Sequence, residues 1–133
     1  MTLLVSTGRM GIRDPDYLDV TLQGNMRRAD QGERGGHRGV GIVFAPSPEL
    51  LYPFLSKRRH GGLTELDWDD YRLRYRAEMR AGYKHHRSAW ELVLSWDRVV
   101  LLCFCSDPIR CHRFLLADYF VALGARPGPE IES

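Results

Sequence analysis

The sequence predicts a small layered α/β domain of Rossmann-like type with a partly parallel sheet. Three observations lead there. Residues 99–105, Val-Val-Leu-Leu-Cys-Phe-Cys, are apolar without alternation, the pattern of a central strand covered on both faces. A turn containing Pro108 then leads into an apolar helical stretch, 111–123, stopped by Gly124 in the position where helices favour glycine. Upstream, short β-branched runs are followed by stretches with helical periodicity.

In chain order, residues 3–6 and 17–21 read as strands on either side of a loop rich in Gly, Pro and Asp. Residues 23–39 hold five glycines and mixed charges with almost no apolar side chain, so a long mobile loop is expected. Residues 40–44 read as a further strand. Ser47-Pro48-Glu49 is a helix start, a side-chain cap followed by a proline whose missing N–H costs nothing there. Leu50, Leu51, Phe54 and Leu55 give that helix an apolar face, and Pro53 is expected to kink or shorten it. Asp67 is the expected cap of a second helix, in which Trp68, Tyr71, Tyr75 and Met79 form one buried stripe. Residues 86–96, with Ala89, Trp90 and Val93, make a third.

Composition bounds the function classes. Apolar residues at 44% and charged residues at 27% are ordinary for a folded chain, and the length suits one domain spanning 1–133. No apolar run approaches the roughly 18–20 residues that cross a bilayer. The opening six residues read as a first strand, not a signal peptide. Three cysteines within residues 103–111 are an odd, clustered set, which points to reduced thiols and a cytoplasmic protein. A formal charge of +2 is too small to argue nucleic-acid binding. Two basic clusters stand out even so: Arg27, Arg28, Arg34 and Arg38, and then Lys57, Arg58 and Arg59.

The chemistry concentrates in residues 103–113. Ligands of open α/β sheets collect at the carboxyl ends of strands, where the next helix begins. Cys111 and His112 fall at that helix start, where free N–H groups and the dipole favour an anion, and Arg110 and Arg113 flank them. Such surroundings make cysteines reactive, so Cys111 is the expected nucleophile or redox thiol, with Cys103 as the other candidate. Adjacent helical residues do not face each other, so His112 is expected to orient or donate, and a base for Cys111 must come from elsewhere. Arg110, Arg113, Asp19 and Asp107 are the expected ligand-binding residues. No metal and no cofactor are expected: Cys-x-Cys-x5-Cys-His is not a usual ligand spacing. Residues two apart on a strand, such as Cys103 and Cys105, also lie about 6.6 Å apart, too far to share an ion.

The same residues resemble a known family. Leu-Leu-Cys103, then Asp107-Pro108, then Cys111-His112-Arg113 with Leu115, Leu116 and Ala117 is similar to the signature of the domain of unknown function 488, the YeaO-like group. Leu18-Asp19-Val20 is similar to that family's early Asp-Val strand end. Phe44-Ala45-Pro46-Ser47 and Trp68-Asp69-Asp70-Tyr71 resemble a phage- and bacterium-associated branch. The resemblance implies an α/β fold and a site around Asp19, Cys103 and Cys111, but no reaction. Cys105 departs from it, since relatives often carry an acidic or polar residue there. Separately, Cys105 followed by Arg110 is similar to the active-site loop of rhodaneses and related sulfur- or phosphate-handling enzymes, although Pro108 removes one N–H from such a curl.

Two functional readings follow. The first is a thiol-dependent enzyme, or enzyme-like pocket, for a small anionic ligand, nucleotide-related ones included, seated at residues 103–113. The alternative is a non-enzymatic module that binds nucleic acid or protein through its basic loops, with structural cysteines. The oligomeric state is open.

Overall fold

The computed structural model describes residues 2–28, 40–105, 107 and 110–132. Most of the expected mobile loop, residues 29–39 with Arg34 and Arg38, lies outside the described residues, as do Ser106, Pro108 and Ile109. Among the described residues five strands form one sheet: β1 (Leu4–Arg9), β2 (Tyr17–Asp19), β3 (Met26–Arg27), β4 (Arg98–Cys103) and β5 (Arg126–Ile131). Their order is β3-β2-β4-β1-β5. β2, β4, β1 and β5 run parallel, and β3 pairs antiparallel with β2 at one edge. This is the partly parallel sheet the sequence predicts.

Burial explains the order. Val99, Val100, Leu101 and Leu102 are fully or almost fully buried, so β4 must sit inside the sheet, and it lies between β2 and β1. Among the described residues four α-helices complete the fold: α1 (Pro48–Arg59), α2 (Glu65–His85), α3 (Arg87–Leu94) and α4 (His112–Ala122). α4 lies on β1, β4 and β5, α2 packs on α4, and α1 and α3 pack on α2. The stripe Trp68, Tyr71, Tyr75 and Met79 is buried as its spacing requires, and Trp90 meets Phe44 and Phe120 in an aromatic cluster. Among the described residues no helix is long and apolar enough to cross a membrane.

Several local expectations are corrected. Residues 40–44 form a 3₁₀ turn, Gly41–Phe44, not a strand. The chain passes so close to β2 there that a Cβ on Gly41 would collide with the Asp19 carbonyl oxygen. Within the expected loop, Met26 lies in β3 and is buried, as is Arg28 just after it. α1 runs six residues past Pro53, its start held by the Ser47 hydroxyl accepting from the Leu50 N–H, so Pro53 does not shorten it. The cap of α2 is Thr64, and Asp67 is its reciprocal partner in a capping box. β5 went unread because Pro127 and Pro129 argue against a strand. It stands at the sheet edge, where proline costs no ladder bond on the solvent side.

At the amino end of the sheet, charges close on one another. Arg98, opening β4, donates to both Asp14 oxygens at 2.6 Å and to Asp16 at 3.3 Å. Arg28 is buried against Asp16 at 3.5 Å and Asp97 at 3.2 Å, donates to the Arg98 carbonyl, and lies 4.2 Å over the Trp96 ring.

Candidate functional site

β4 ends at Cys103 and α4 begins at His112, so the two elements deliver their side chains to the same carboxyl end of the sheet. Cys111 is the N-cap of α4, in extended conformation, and its side chain makes no capping hydrogen bond. Cys103, Cys111 and His112 converge: their ligating atoms all lie within 4.8 Å of one another, and all three residues are buried. The convergence expected of Cys103 and Cys111 is therefore present. The solvent-accessible first turn is not, because Cys111 is 3% exposed and His112 5%.

His112 is held by two contacts. Its Nε2 lies 2.7 Å from the Val20 carbonyl oxygen, an acceptor only, so the hydrogen-bond network assigns the proton to Nε2. With the proton on Nε2, Nδ1 is the ring nitrogen with the lone pair, and it faces the Cys103 Sγ at 3.8 Å. The ring also packs against Tyr75, whose hydroxyl donates to the Phe44 carbonyl at 2.7 Å. The group that faces His112 is thus Cys103, not its neighbour Cys111. The hydrogen bond from Cys111 lowers the Cys103 thiol below its ordinary value, against the opposing pull of burial. Cys105 is pushed the other way, by its own hydrogen bond with Cys111 and then by burial. Burial likewise raises Tyr71 and Tyr75, which stay neutral phenols.

Cys103, Cys105, Cys111 and His112 line a cavity of about 380 Å³. Its walls are mainly apolar, built from Leu51, Phe54 and Leu55 of α1 together with Tyr71 of α2. Two arginines border it, Arg58 and Arg110. Arg58 donates to the Cys105 sulfur at 2.8 Å and to the Arg110 carbonyl, and lies over the Phe54 ring. The Arg110 guanidinium pairs with the exposed Glu65. Sequence reasoning placed Arg58 only in a basic run. Its spacing held the signal: it stands four residues after Phe54 and seven after Leu51, on the same helix face.

The other expected ligand-binding residues have different partners. Arg113 turns inward, donating to the Cys105 carbonyl at 2.9 Å and to Glu130 of β5 at 3.0 Å. It is 1% exposed and fastens the loop after β4 to the sheet edge; it does not border the cavity. Asp19 accepts from the Thr21 N–H and hydroxyl and borders a second, more open concavity that meets the first at Gln23 and Phe104. Asp107 accepts from the Arg110 N–H at 2.9 Å and so shapes the loop. The structure therefore gathers Cys103, Cys111, His112 and Arg110 and leaves Arg113, Asp19 and Asp107 outside.

The match with known proteins covers this site. A family model described as "Active DUF488-N3 subclade" matches residues 24–124, which include every residue of the cluster and both cavity arginines. The chain belongs to this DUF488 family. No curated protein and no solved structure gives a match. Cys105, whose sulfur takes the Arg58 hydrogen bond, lines the cavity beside this cluster.

Proposed function

We propose that this DUF488 protein is a thiol-dependent enzyme acting on a small ligand with an apolar body and one anionic group. The ligand's body lies along Leu51, Phe54 and Tyr71, its anion turns to Arg110 and Arg58, and its reacting end meets Cys103, Cys111 and His112. One observation carries the reading: a buried Cys–Cys–His cluster lines a mainly apolar cavity together with two arginines. Ligand sites generally combine an apolar wall with a few convergent polar groups, and about 380 Å³ lies within their usual range. A side chain meant only to fill a core would not need the His112 lone pair directed at a thiol. The word "active" in the description of the matching family model supports an enzyme over a purely structural protein. The alternative module loses one of its basic residues, since Arg28 is buried in an ion network.

Phenyl phosphate, which has both parts of the ligand described, is the probe. In an NMR titration of the intact chain it should shift resonances of Phe54, Tyr71, Cys103 and His112, with phenol and inorganic phosphate each binding more weakly. Arg110→Gln should weaken phenyl phosphate about tenfold, as loss of one hydrogen bond to a charged group does. Equal binding of phenol, or shifts confined to residues away from the cavity, would refute the anionic-ligand reading.

A further inference from the structure

The geometry points to a transition-metal site: we infer that Cys103, Cys111 and His112 bind one zinc-like divalent cation, with its fourth position open to the cavity. The inference rests on the cavity described above and names the cofactor of that same site.

The donor atoms fit. Zinc takes sulfur at about 2.3 Å and imidazole nitrogen at about 2.0–2.1 Å, so tetrahedral neighbours around one ion lie about 3.5–3.8 Å apart. Cys103 Sγ and His112 Nδ1 are 3.8 Å apart, and no pair in the cluster exceeds 4.8 Å. Movements of about 1 Å would seat the ion. The 3.8 Å separation is long for a hydrogen bond yet close to what two ligands of one ion adopt. Neither element alone supplies the set, because β4 brings Cys103 and the start of α4 brings the other two. That is why the spacing along the chain resembles no common metal motif. The strand-geometry argument against zinc concerns Cys103 with Cys105, and Cys105 is not in this set; its sulfur is held by Arg58.

The imidazole is prepared for ligation. A metal-bound histidine commonly donates its other ring N–H to a carbonyl or carboxylate, which fixes the tautomer and directs the lone pair. Here His112 donates from Nε2 to the Val20 carbonyl, and Nδ1 is the nitrogen that faces the Cys103 thiol, with the Cys111 sulfur within 4.8 Å of the set. Charge also balances. Binding releases one proton from each thiol to solvent, and two thiolates with a neutral imidazole and a divalent cation sum to zero. A neutral centre can be buried among Tyr71, Tyr75 and the β4 core, where an isolated charge could not. Sulfur and nitrogen donors without a carboxylate select zinc or its cobalt surrogate over magnesium or calcium.

The test titrates the intact chain with cobalt(II) and follows the visible bands and the sulfur-to-cobalt charge-transfer band. About one equivalent per chain should bind with a tetrahedral thiolate spectrum, and zinc should displace it. Cys103→Ser, Cys111→Ser and His112→Gln should each weaken cobalt binding at least about tenfold, with circular dichroism confirming the fold. Cys105→Ser should leave it unchanged. No charge-transfer band in the folded wild-type chain would overturn the metal site, and loss of the band in Cys105→Ser would overturn the open fourth position. The phenyl phosphate titration of metal-free protein separates the two ideas. Phenyl phosphate binding without cobalt binding sinks the metal and spares the pocket, and the reverse result sinks the anionic-ligand reading and spares the metal.

Discussion

The two ends of the sheet solve opposite problems with the same strands. At the amino end, Arg98, Asp14, Asp16, Arg28 and Asp97 meet in a charge network, with Trp96 under the Arg28 guanidinium. At the carboxyl end, β4 and α4 bring two thiols and an imidazole within 4.8 Å of one another at the lining of a cavity. Charged groups find opposite charges at one end, and at the other polar groups meet a cavity. Convergent polar groups in a cavity are a mark of functional sites. The difference predicts that substitutions at the amino end change stability, whereas those at the carboxyl end change binding.

The largest effect is expected at Arg28. Its side chain is 4% exposed and reaches two aspartates, so Arg28→Met removes one side of a buried pair and leaves Asp16 facing the network. Breaking such a pair costs about 3 kcal/mol, and chemical denaturation should show a loss of that order. Cys103→Ala, at the other end of the sheet, removes one buried sulfur and should cost about 1 kcal/mol. If the two losses come out alike, the division between a stabilising end and a functional end is wrong.

The pH dependence of the amino end sharpens the same contrast. The Arg98 hydrogen bond is the main cause holding the Asp14 carboxyl below its ordinary 3.8, against partial burial and with help from the Asp16 N–H. The folded chain therefore gives up this proton more readily than the unfolded one. The bridge stabilises the fold above the ordinary carboxylate range, and its contribution drains away as pH falls from about 4 through the lower folded value. Asp14→Asn should lower the melting temperature by a few degrees at neutral pH and converge with wild type in strong acid. A constant difference across that range would mean the side chain acts by shape and not by charge.

How much of this the sequence reveals depends on how local each cause is. β4, the caps at Ser47 and Gly124 and the stripe on α2 are written in neighbouring residues, so composition and period expose them. The 3₁₀ turn at Gly41 is set by the approach of Asp19, distant in sequence, and no pattern within residues 40–44 announces it. β5 is decided by its place at an edge, which only the whole sheet defines. The site divides in the same way. Cys103, Cys111, His112 and Arg110 were legible because the strand–turn–helix unit is local. Arg113, reasonable beside a helix start, is claimed by Glu130 on a strand that the sequence hid. The partner of His112 likewise turned on the Val20 carbonyl, which fixes the ring from another strand's end.

The smallest effect is expected where charges meet in water. Asp67 sits at the start of α2, and the Lys57 ammonium at 2.6 Å, then the Thr64 N–H and hydroxyl, hold its carboxyl down to about 2. That looks as strong as the Asp14 bridge, but the setting differs: Asp67 keeps 22% of its side chain exposed and Lys57 56%. Water and salt screen such pairs, and holding a long lysine in one rotamer costs entropy, so the interaction contributes little to the fold. Lys57→Gln should therefore raise the Asp67 carboxyl toward its ordinary range in an NMR titration while the melting temperature stays within scatter of wild type. Thr64→Ala breaks the capping box of the same helix and should cost about 1 kcal/mol, because it strips a backbone N–H of its partner. The two substitutions touch the same aspartate and separate its roles as surface ion and helix cap. A stability loss in Lys57→Gln as large as in Thr64→Ala would show that exposed charge supports this fold as firmly as the buried network at the amino end.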